Sequence, residues 1–412
     1  MPRRMLPTRR SPVEWGVRVG LALVAATAGV VSVTHSMGFA LGRASPERAH
    51  ALSPSDGRLT ARLSQALLTV KATRSDLARA ERLGRLALKQ DPTAVRAITA
   101  VGIAMQLRGN LLGARRTFAY GQRLSRRDLR AQLWAIEDAV SRNDIPGALR
   151  QYDAALRTSR TAPDMLFPVL ASAITDAPIR ATLARTLRDR PSWGDSFVFF
   201  AAARGPDPRA TAEFYRRLRQ AGVAVTPGAQ AVLLQRLVAN GEWSEAWEYY
   251  TATHPGADRR VSRDPNFSAP GPPSPFDWTL GDDAGITTSI QSGDKGGIFD
   301  FAAPPGIGGV LLKQTQMLPP GEYRIVGRSA GVEQPESSRP YWVLNCLNGR
   351  ELGRVPLPNS TQANGLFSGR FRVPAGCSAQ ILWLVARPSA ATGGVSGQIQ
   401  QVRLHPIIGT VP

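Results

Sequence analysis

The pattern of hydrophobic and polar positions changes character three times along the chain. Positions 19–42 carry no Asp, Glu, Lys or Arg and are bounded by Arg18 and Arg43. A helix of that length, rising 1.5 Å per residue, spans a hydrocarbon core of about 30 Å. From about 55 to 256 the apolar residues recur at helical spacing, and the pattern repeats every 34 residues. Ala80, Ala114 and Ala148 keep that step, as do Leu77, Leu111 and Ile145; Ala212 and Ala246 keep it further on. Turn-forming pairs, Ser75-Asp76, Gly109-Asn110 and Asn143-Asp144, precede them in register. After Ser262 the period drops to two. Strand-like runs at 285–292, 297–301, 310–317, 321–328, 341–347, 366–373, 379–386 and 397–404 predict an antiparallel sandwich or jelly roll.

These shifts divide a chain too long for one core. Residues 1–18 read as a basic N-terminus, 19–42 as a transmembrane anchor and 43–54 as a linker. Residues 55–256 read as an all-α solenoid of helical hairpins, irregular between about 163 and 191, where four prolines fall. The stretch 257–275, containing Pro270, Pro272, Pro273 and Pro275, reads as a second linker. Residues 276–412 read as an all-β, jelly-roll-like sandwich. A cleaved signal peptide competes with the anchor, because Ala40-Leu41-Gly42 fits a small-x-small site, although the apolar part of a signal is usually shorter. Arg3, Arg4, Arg9, Arg10 and Arg18 favour a cytoplasmic N-terminus, with the rest of the chain beyond the inner membrane.

The 34-residue pattern resembles tetratricopeptide repeats, in which small residues let paired helices approach and a large residue such as Phe118 or Tyr152 fills the adjoining gap. The chain departs from that family at several places. The Trp expected in the first helix is missing, position 84 is Gly where an aromatic would sit, and Arg126 and Arg160 replace the closing proline. The resemblance implies a scaffold whose concave face holds a protein partner. Ala80, Ala114, Ala148, Ala212 and Ala246 are expected to be packing residues.

In the β region, Pro265-Asn266-Phe267 followed by Phe276-Asp277-Trp278 resembles the opening phrase of galactose-binding-like jelly rolls. Leu318-Pro-Pro-Gly-Glu-Tyr323 and the closing run 397–404 resemble later parts of that family, but Gln400-Gln401 and Ser268 stand where the family carries acids. The whole arrangement resembles an alphaproteobacterial envelope protein, which implies a role in envelope or exopolysaccharide assembly. Cys346 and Cys377 are the chain's two cysteines. In an oxidising periplasm they would pair; in a cytosol they would be two buried thiols.

The net charge is +20 and lies almost wholly in the first 260 residues, which hold 39 basic and 21 acidic residues against 12 and 10 in the remainder. Nearly all of it is Arg; the lysines are Lys71, Lys89, Lys295 and Lys313. No nucleic-acid motif accompanies the charge, and it is not interleaved with aromatics, so nucleic acid is not expected as a partner. Gly327-Arg-Ser329-Ala-Gly331 matches G-x-S-x-G, but a helix must follow a nucleophile elbow and a Gly- and Pro-containing loop follows here. Gly306-Ile-Gly-Gly309 lacks the Lys of a phosphate loop. With His35, His50, His254 and His405 scattered, no catalytic residue, metal site or cofactor is expected. Asp282, Asp283, Asp294 and Asp300 are oxygen donors of the kind calcium takes, read here as turn residues. The remaining chemistry is aromatic. Trp278 and Tyr323 are the candidate stacking platforms for a glycan, while Trp342, Leu344 and Cys346 share an inward face. Two readings follow: a non-enzymatic, membrane-anchored periplasmic scaffold, or a glycan-binding protein whose repeats act as a spacer.

Overall fold

The computed structural model describes residues 11–293, 296–362 and 364–407. Arg3, Arg4, Arg9, Arg10, Asp294 and Lys295 lie outside the described residues. The chain forms two compact units, residues 1–163 and 164–412, so the second half of the helical array and the sandwich belong to one unit.

The first unit begins with α1 (Pro12–Leu41), capped by Ser11, whose side chain accepts from Glu14 N. It starts seven residues before the apolar run and is a candidate membrane span or signal sequence by length and composition. A short α2 (Pro46–Leu52) fills the expected linker. Three hairpins follow: α3 (Gly57–Ala66) with α4 (Arg74–Gln90), α5 (Val95–Leu107) with α6 (Leu111–Leu124), and α7 (Leu129–Ser141) with α8 (Ile145–Thr158). Their turns explain the 34-residue punctuation. Gly109 and Asn143 have positive φ, each closing its helix with a bond from the next residue's N–H back to Met105 O or Ala139 O. That next residue, Asn110 or Asp144, then caps the second helix through its side chain. Ser75-Asp76 is not a turn; it lies in the first turn of α4, where Thr73 and Asp76 form a capping box.

The second unit continues the array through α9 (Ala162–Ala173), α10 (Ala177–Arg188), α11 (Gly194–Arg204), α12 (Pro208–Gln220), α13 (Pro227–Ala239) and α14 (Trp243–Thr253). Two of the four prolines that read as irregularity start helices. Pro163 and Pro178 sit in first turns, where the missing N–H has no intrahelical partner to lose. Pro168 lies inside α9.

The sandwich holds ten strands among the described residues: β1 (Thr279–Leu280), β2 (Thr287–Gly293), β3 (Gly296–Ala303), β4 (Gly309–Gln316), β5 (Gly321–Ala330), β6 (Tyr341–Cys346), β7 (Glu351–Pro356), β8 (Leu366–Val373), β9 (Gln380–Ala386) and β10 (Val395–Pro406). One sheet runs β1-β4-β9-β6-β7 and the other β2-β3-β10-β5-β8, every pair antiparallel. β1 and β7 escape the sequence pattern because one is two residues long and the other, Glu-Leu-Gly-Arg-Val-Pro, is an edge strand with little apolar content. Phe299, Leu344, Trp342, Leu384, Ile399 and Val402 fill the space between the sheets. Cys346 and Cys377 are disulfide-bonded, tying the end of β6 to the segment before β9.

The stretch expected as a linker is built into the sandwich. Ser262 N donates to Leu404 O, Val402 N donates to Pro265 O, and Thr315 N donates to Pro275 O, so both ends of the stretch extend sheet edges. Phe267 and Trp278, from the two halves of the opening phrase, meet in the core with ring centroids 5.6 Å apart.

Candidate functional site

Ala80, Ala114, Ala148, Ala212 and Ala246 are all buried where helices cross, as packing residues should be. The opening they leave is more informative. In the first unit, α6, α7 and α8 enclose a cleft of about 410 Å3, lined by Arg115, Phe118, Trp134, Asp138, Arg142 and Arg150 among others. α7 is the first helix of its hairpin and carries Trp134, so the array does hold a Trp in such a helix, though not at the family's position. Trp134 stacks on Phe118 at 4.1 Å and 16°, a buried pair that packs beneath the cleft. Asp138 accepts from Arg115 Nε at 2.8 Å and from Arg142 Nε at 3.2 Å, and thus orients two guanidinium groups. Gln122 Nε2 donates to Gln151 Oε1 at 3.0 Å, joining α6 to α8. Arg150 is exposed and has no ion-pair partner among the described residues. Three cations stand with two carboxylates, Asp138, which the guanidinium groups engage, and Asp144, which caps α8 through Gly147 N, leaving an excess of positive charge that can receive an acidic chain segment. The cleft opens between two second helices with a first helix as its floor.

The sandwich corrects the glycan candidates. Trp278 is 4% exposed and Tyr323 is 3% exposed. The Trp278 indole donates to Asp264 O at 2.8 Å while its ring packs on Phe267 and Trp342. The Tyr323 hydroxyl donates to Pro319 O at 2.8 Å, fixing the hairpin that precedes it. The segment preceding Trp278 folds back over it, and neither ring offers a face to a sugar. Trp342, Leu344 and Cys346 do face inward. Of the calcium candidates, Asp283 accepts from Val310 N and Asp300 from Gln398 Nε2, as loop and cross-strand tethers. No cluster of three metal-ligating side chains occurs among the described residues. Ser329 of the G-x-S-x-G match is buried in β5, its hydroxyl within 3.3 Å of Gly365 O.

A feature that periodicity could not disclose lies where α14 meets the sandwich. Arg263 is buried, and its guanidinium donates to three neutral acceptors: Phe276 O, Gln316 Oε1 and Thr315 O. It lies 5.5 Å from the Trp247 ring centroid and 5.7 Å from that of Phe276. Burial pulls its pKa down to about 10, partly countered by Tyr250 and Asp277. The Tyr250 hydroxyl donates to Asp277 Oδ1 at 2.6 Å, and burial, then the Asp277 charge, pushes that phenol well above its ordinary value. A second cleft of about 950 Å3 opens beside this junction, walled by Gln230 and Leu234 of α13, His254, the proline stretch 270–273 and Arg403. His254 stacks flat on Tyr250 at 4.0 Å. These contacts weld the last helical hairpin to the β-sheets, and Ser274 adds a hydroxyl that donates to Asp277 Oδ2 at 2.6 Å.

No family model matches the chain, and no curated protein does. Among solved structures it is similar to pilF of Pseudomonas aeruginosa, at 13% identity and a TM-score of 0.28, over 56% of this chain and 94% of that one. It is similar to the CBM22-1 xylan-binding domain of Paenibacillus barcinonensis Xyn10C, at 9% identity and a TM-score of 0.24, over 38% and 97%. A third similarity, at 15% identity and a TM-score of 0.21, is to the enzymatically active domain of tailspike protein 4 from bacteriophage CBA120, over 32% of this chain. The chain spans 19% of that tailspike domain's length. Values this low describe partial likeness of shape and carry nothing about activity. The architecture itself is plain: an N-terminal apolar helix, a tetratricopeptide-like helical solenoid and a β-sandwich.

Proposed function

We propose that this chain is a non-enzymatic scaffold, anchored in the inner membrane with its bulk in the periplasm, whose helical array holds an acidic segment of a protein partner. The observation that carries the reading is the cleft of α6, α7 and α8, where Arg115, Arg142 and Arg150 converge. An extended acidic segment would meet guanidinium groups at the rim, held in place over a rigid, buried aromatic pair. The anchor rather than a cleaved signal is supported by the end of α1. Gly38 is buried with Leu59 against it, and the guanidinium of Arg62 lies 5.6 Å from the Phe39 ring. A cut after Ala40-Leu41-Gly42 would remove a helix whose last turns belong to the folded body.

The second reading, glycan recognition, keeps one surface. On the outer face of the β1-β4-β9-β6-β7 sheet, Trp383 and Tyr341 are half-buried, and Tyr341 is flanked by Arg354 at 4.2 Å and Arg387 at 4.9 Å. Trp383 Nε1 and Asn345 Oδ1 on that face have no hydrogen-bond partner. One experiment separates the readings. A photo-reactive residue at Ala119, inside the cleft, should give a discrete protein adduct in intact cells that disappears in an Arg150→Glu background, while the same probe at Leu86 gives none. Carbohydrate adducts at Ile381 with no protein adduct at Ala119 would replace the scaffold reading with the glycan one.

A further inference from the structure

The arginines that depart from the repeat pattern lie at one end of the array, and that is the end from which α1 leaves. Three contacts fix the direction of α1: His35 Nδ1 is 3.6 Å from Asp56 Oδ2, a side chain on Gly38 would touch Leu59 Cδ1, and Arg62 stacks over Phe39. The partners advance together, 35 to 39 on α1 with 56 to 62 on α3, so the two helices run parallel. The remainder of α1, residues 12–34 with the apolar run from 19, therefore projects past the N-terminus of α3.

At that same end lie the loops that join one hairpin to the next. Arg58, in the first turn of α3, reaches Asp91 at 3.5 Å in the first loop. Thr99, near the start of α5, donates to Asp128 Oδ2 in the second loop, and Thr158, at the end of α8, donates to Arg126 O in that loop. Around these loops stand Lys89, Arg123, Arg126, Arg127, Arg130 and Arg160, all exposed, and none is in an ion pair among the described residues. The acids nearby are occupied: Asp56 accepts from Arg58 N and Leu59 N, Asp91 from Thr93 N, and Asp128 from Ala131 N. The opposite, hairpin-turn end carries fewer unpaired cations among the described residues, Lys71 and Arg74, and exposes Val70, Leu107, Leu111, Leu112 and Val140 beside them.

We infer that this basic end of the first unit docks on the anionic lipid headgroups of the membrane in which α1 is anchored, holding the array upright on the bilayer. The inference rests on the anchor reading of α1. A helix that enters the bilayer must bring the protein end it leaves from to the headgroup layer, and unpaired guanidinium groups there gain from an anionic surface within a Debye length. On this view Arg126 and Arg160, which occupy the position where the repeat family closes with proline, serve the surface and not the fold.

The test uses the full chain reconstituted in vesicles of phosphatidylcholine, with or without phosphatidylglycerol, doped with a headgroup-nitroxide lipid. A bimane label on Pro92→Cys reports the basic end, and one on Leu112→Cys reports the far end. Quenching of the Pro92 label should rise severalfold with phosphatidylglycerol and fall with salt, while the Leu112 label stays unquenched. Arg126→Glu with Arg127→Glu and Arg160→Glu should abolish the lipid dependence and leave the protein resistant to alkaline carbonate extraction. Equal, weak quenching of both labels in an extraction-resistant protein overturns the docking inference while the anchor stands. Release of the wild-type chain by carbonate overturns the anchor reading instead.

Discussion

The two units use opposite kinds of core. In residues 1–163 the helices meet on small side chains: Ala61, Ala80, Ala87, Ala97, Ala100 and Ala114 are buried, and Phe118 with Trp134 forms a stacked pair of large rings. In residues 164–412 the same kind of hairpin is filled with aromatics, running from Phe167 to Phe197, Phe214, Tyr215 and Tyr249. A second cluster, Trp247, Tyr250 and Phe276, joins α14 to the sandwich. Small residues draw backbones close but bury little area each, which leaves long polar side chains free to line a cleft. Large rings bury far more area per residue and can bridge two folds. The contrast teaches where binding and where cohesion reside: the first unit presents surfaces, and the second is held as one body.

Alkaline pH should expose that contrast most strongly. Burial holds the phenols of Tyr215, Tyr249 and Tyr250 well above their ordinary value of about 10 in the second unit. A phenol raised in the fold contributes stability that is complete below about pH 10 and is lost as pH climbs toward the folded value. Each can remove about 1.4 kcal/mol per pH unit in that window. Arg263, lowered to about 10, works the other way, since the unfolded chain holds that proton longer, but it offsets only one tyrosine. The first unit has Tyr152 as its raised phenol. A titration followed by absorbance at 295 nm and by circular dichroism should therefore show the second unit unfolding first above pH 10, with tyrosine ionisation and unfolding coincident. Smooth ionisation near pH 10 with no loss of structure would mean these rings are not held as described.

Removing the disulfide is the next largest effect. The bridge closes a separation of 31 residues, for which loop entropy gives about 3–4 kcal/mol. Cys346→Ser with Cys377→Ser should lower the urea midpoint of the second unit by that equivalent and leave the first unit's transition in place. A shift of both transitions would show that the units unfold together and that the comparison drawn here does not extend to stability.

How much of this was legible in the sequence follows the same division. The hairpins of the first unit announce themselves because their contacts are local and their turn chemistry recurs, with Asn110 and Asp144 capping at a fixed step. The strands were visible wherever one face is buried and the other wet, as in β9 and its alternation of buried and half-buried residues. The features that the sequence hides share a cause in distance along the chain. Trp278 is covered by residues around Asp264, and Arg263 meets Gln316 across 53 positions, pairings that no periodicity encodes. The cleft is intermediate: its arginines belong to the basic first 260 residues, but which of them converge depends on the crossing of α6, α7 and α8.

The smallest effect tests the claim that small residues set the spacing of the first unit. Gly84 occupies the position where the repeat family carries an aromatic, and the structure shows why none fits. A Cβ there would lie 2.6 Å from Val101 Cγ2, 3.1 Å from Ser64 Oγ and 3.3 Å from Ala97 O. Ser64 is itself held by a bond to Ala80 O, and a β-branched valine has little freedom to turn away. Gly84→Ala gains about 1 kcal/mol of helix propensity but overpacks the contact at a cost of about 1–3 kcal/mol, so a net loss of roughly 1 kcal/mol is expected. Gly228, in the first turn of α13, has nothing within 4 Å of the same added atom. Gly228→Ala should be neutral or stabilising by a few tenths of a kcal/mol, with the change confined to the second unit. If both substitutions stabilise, the helices of the first unit are not spaced by their small residues, and its cleft must owe its width to something else.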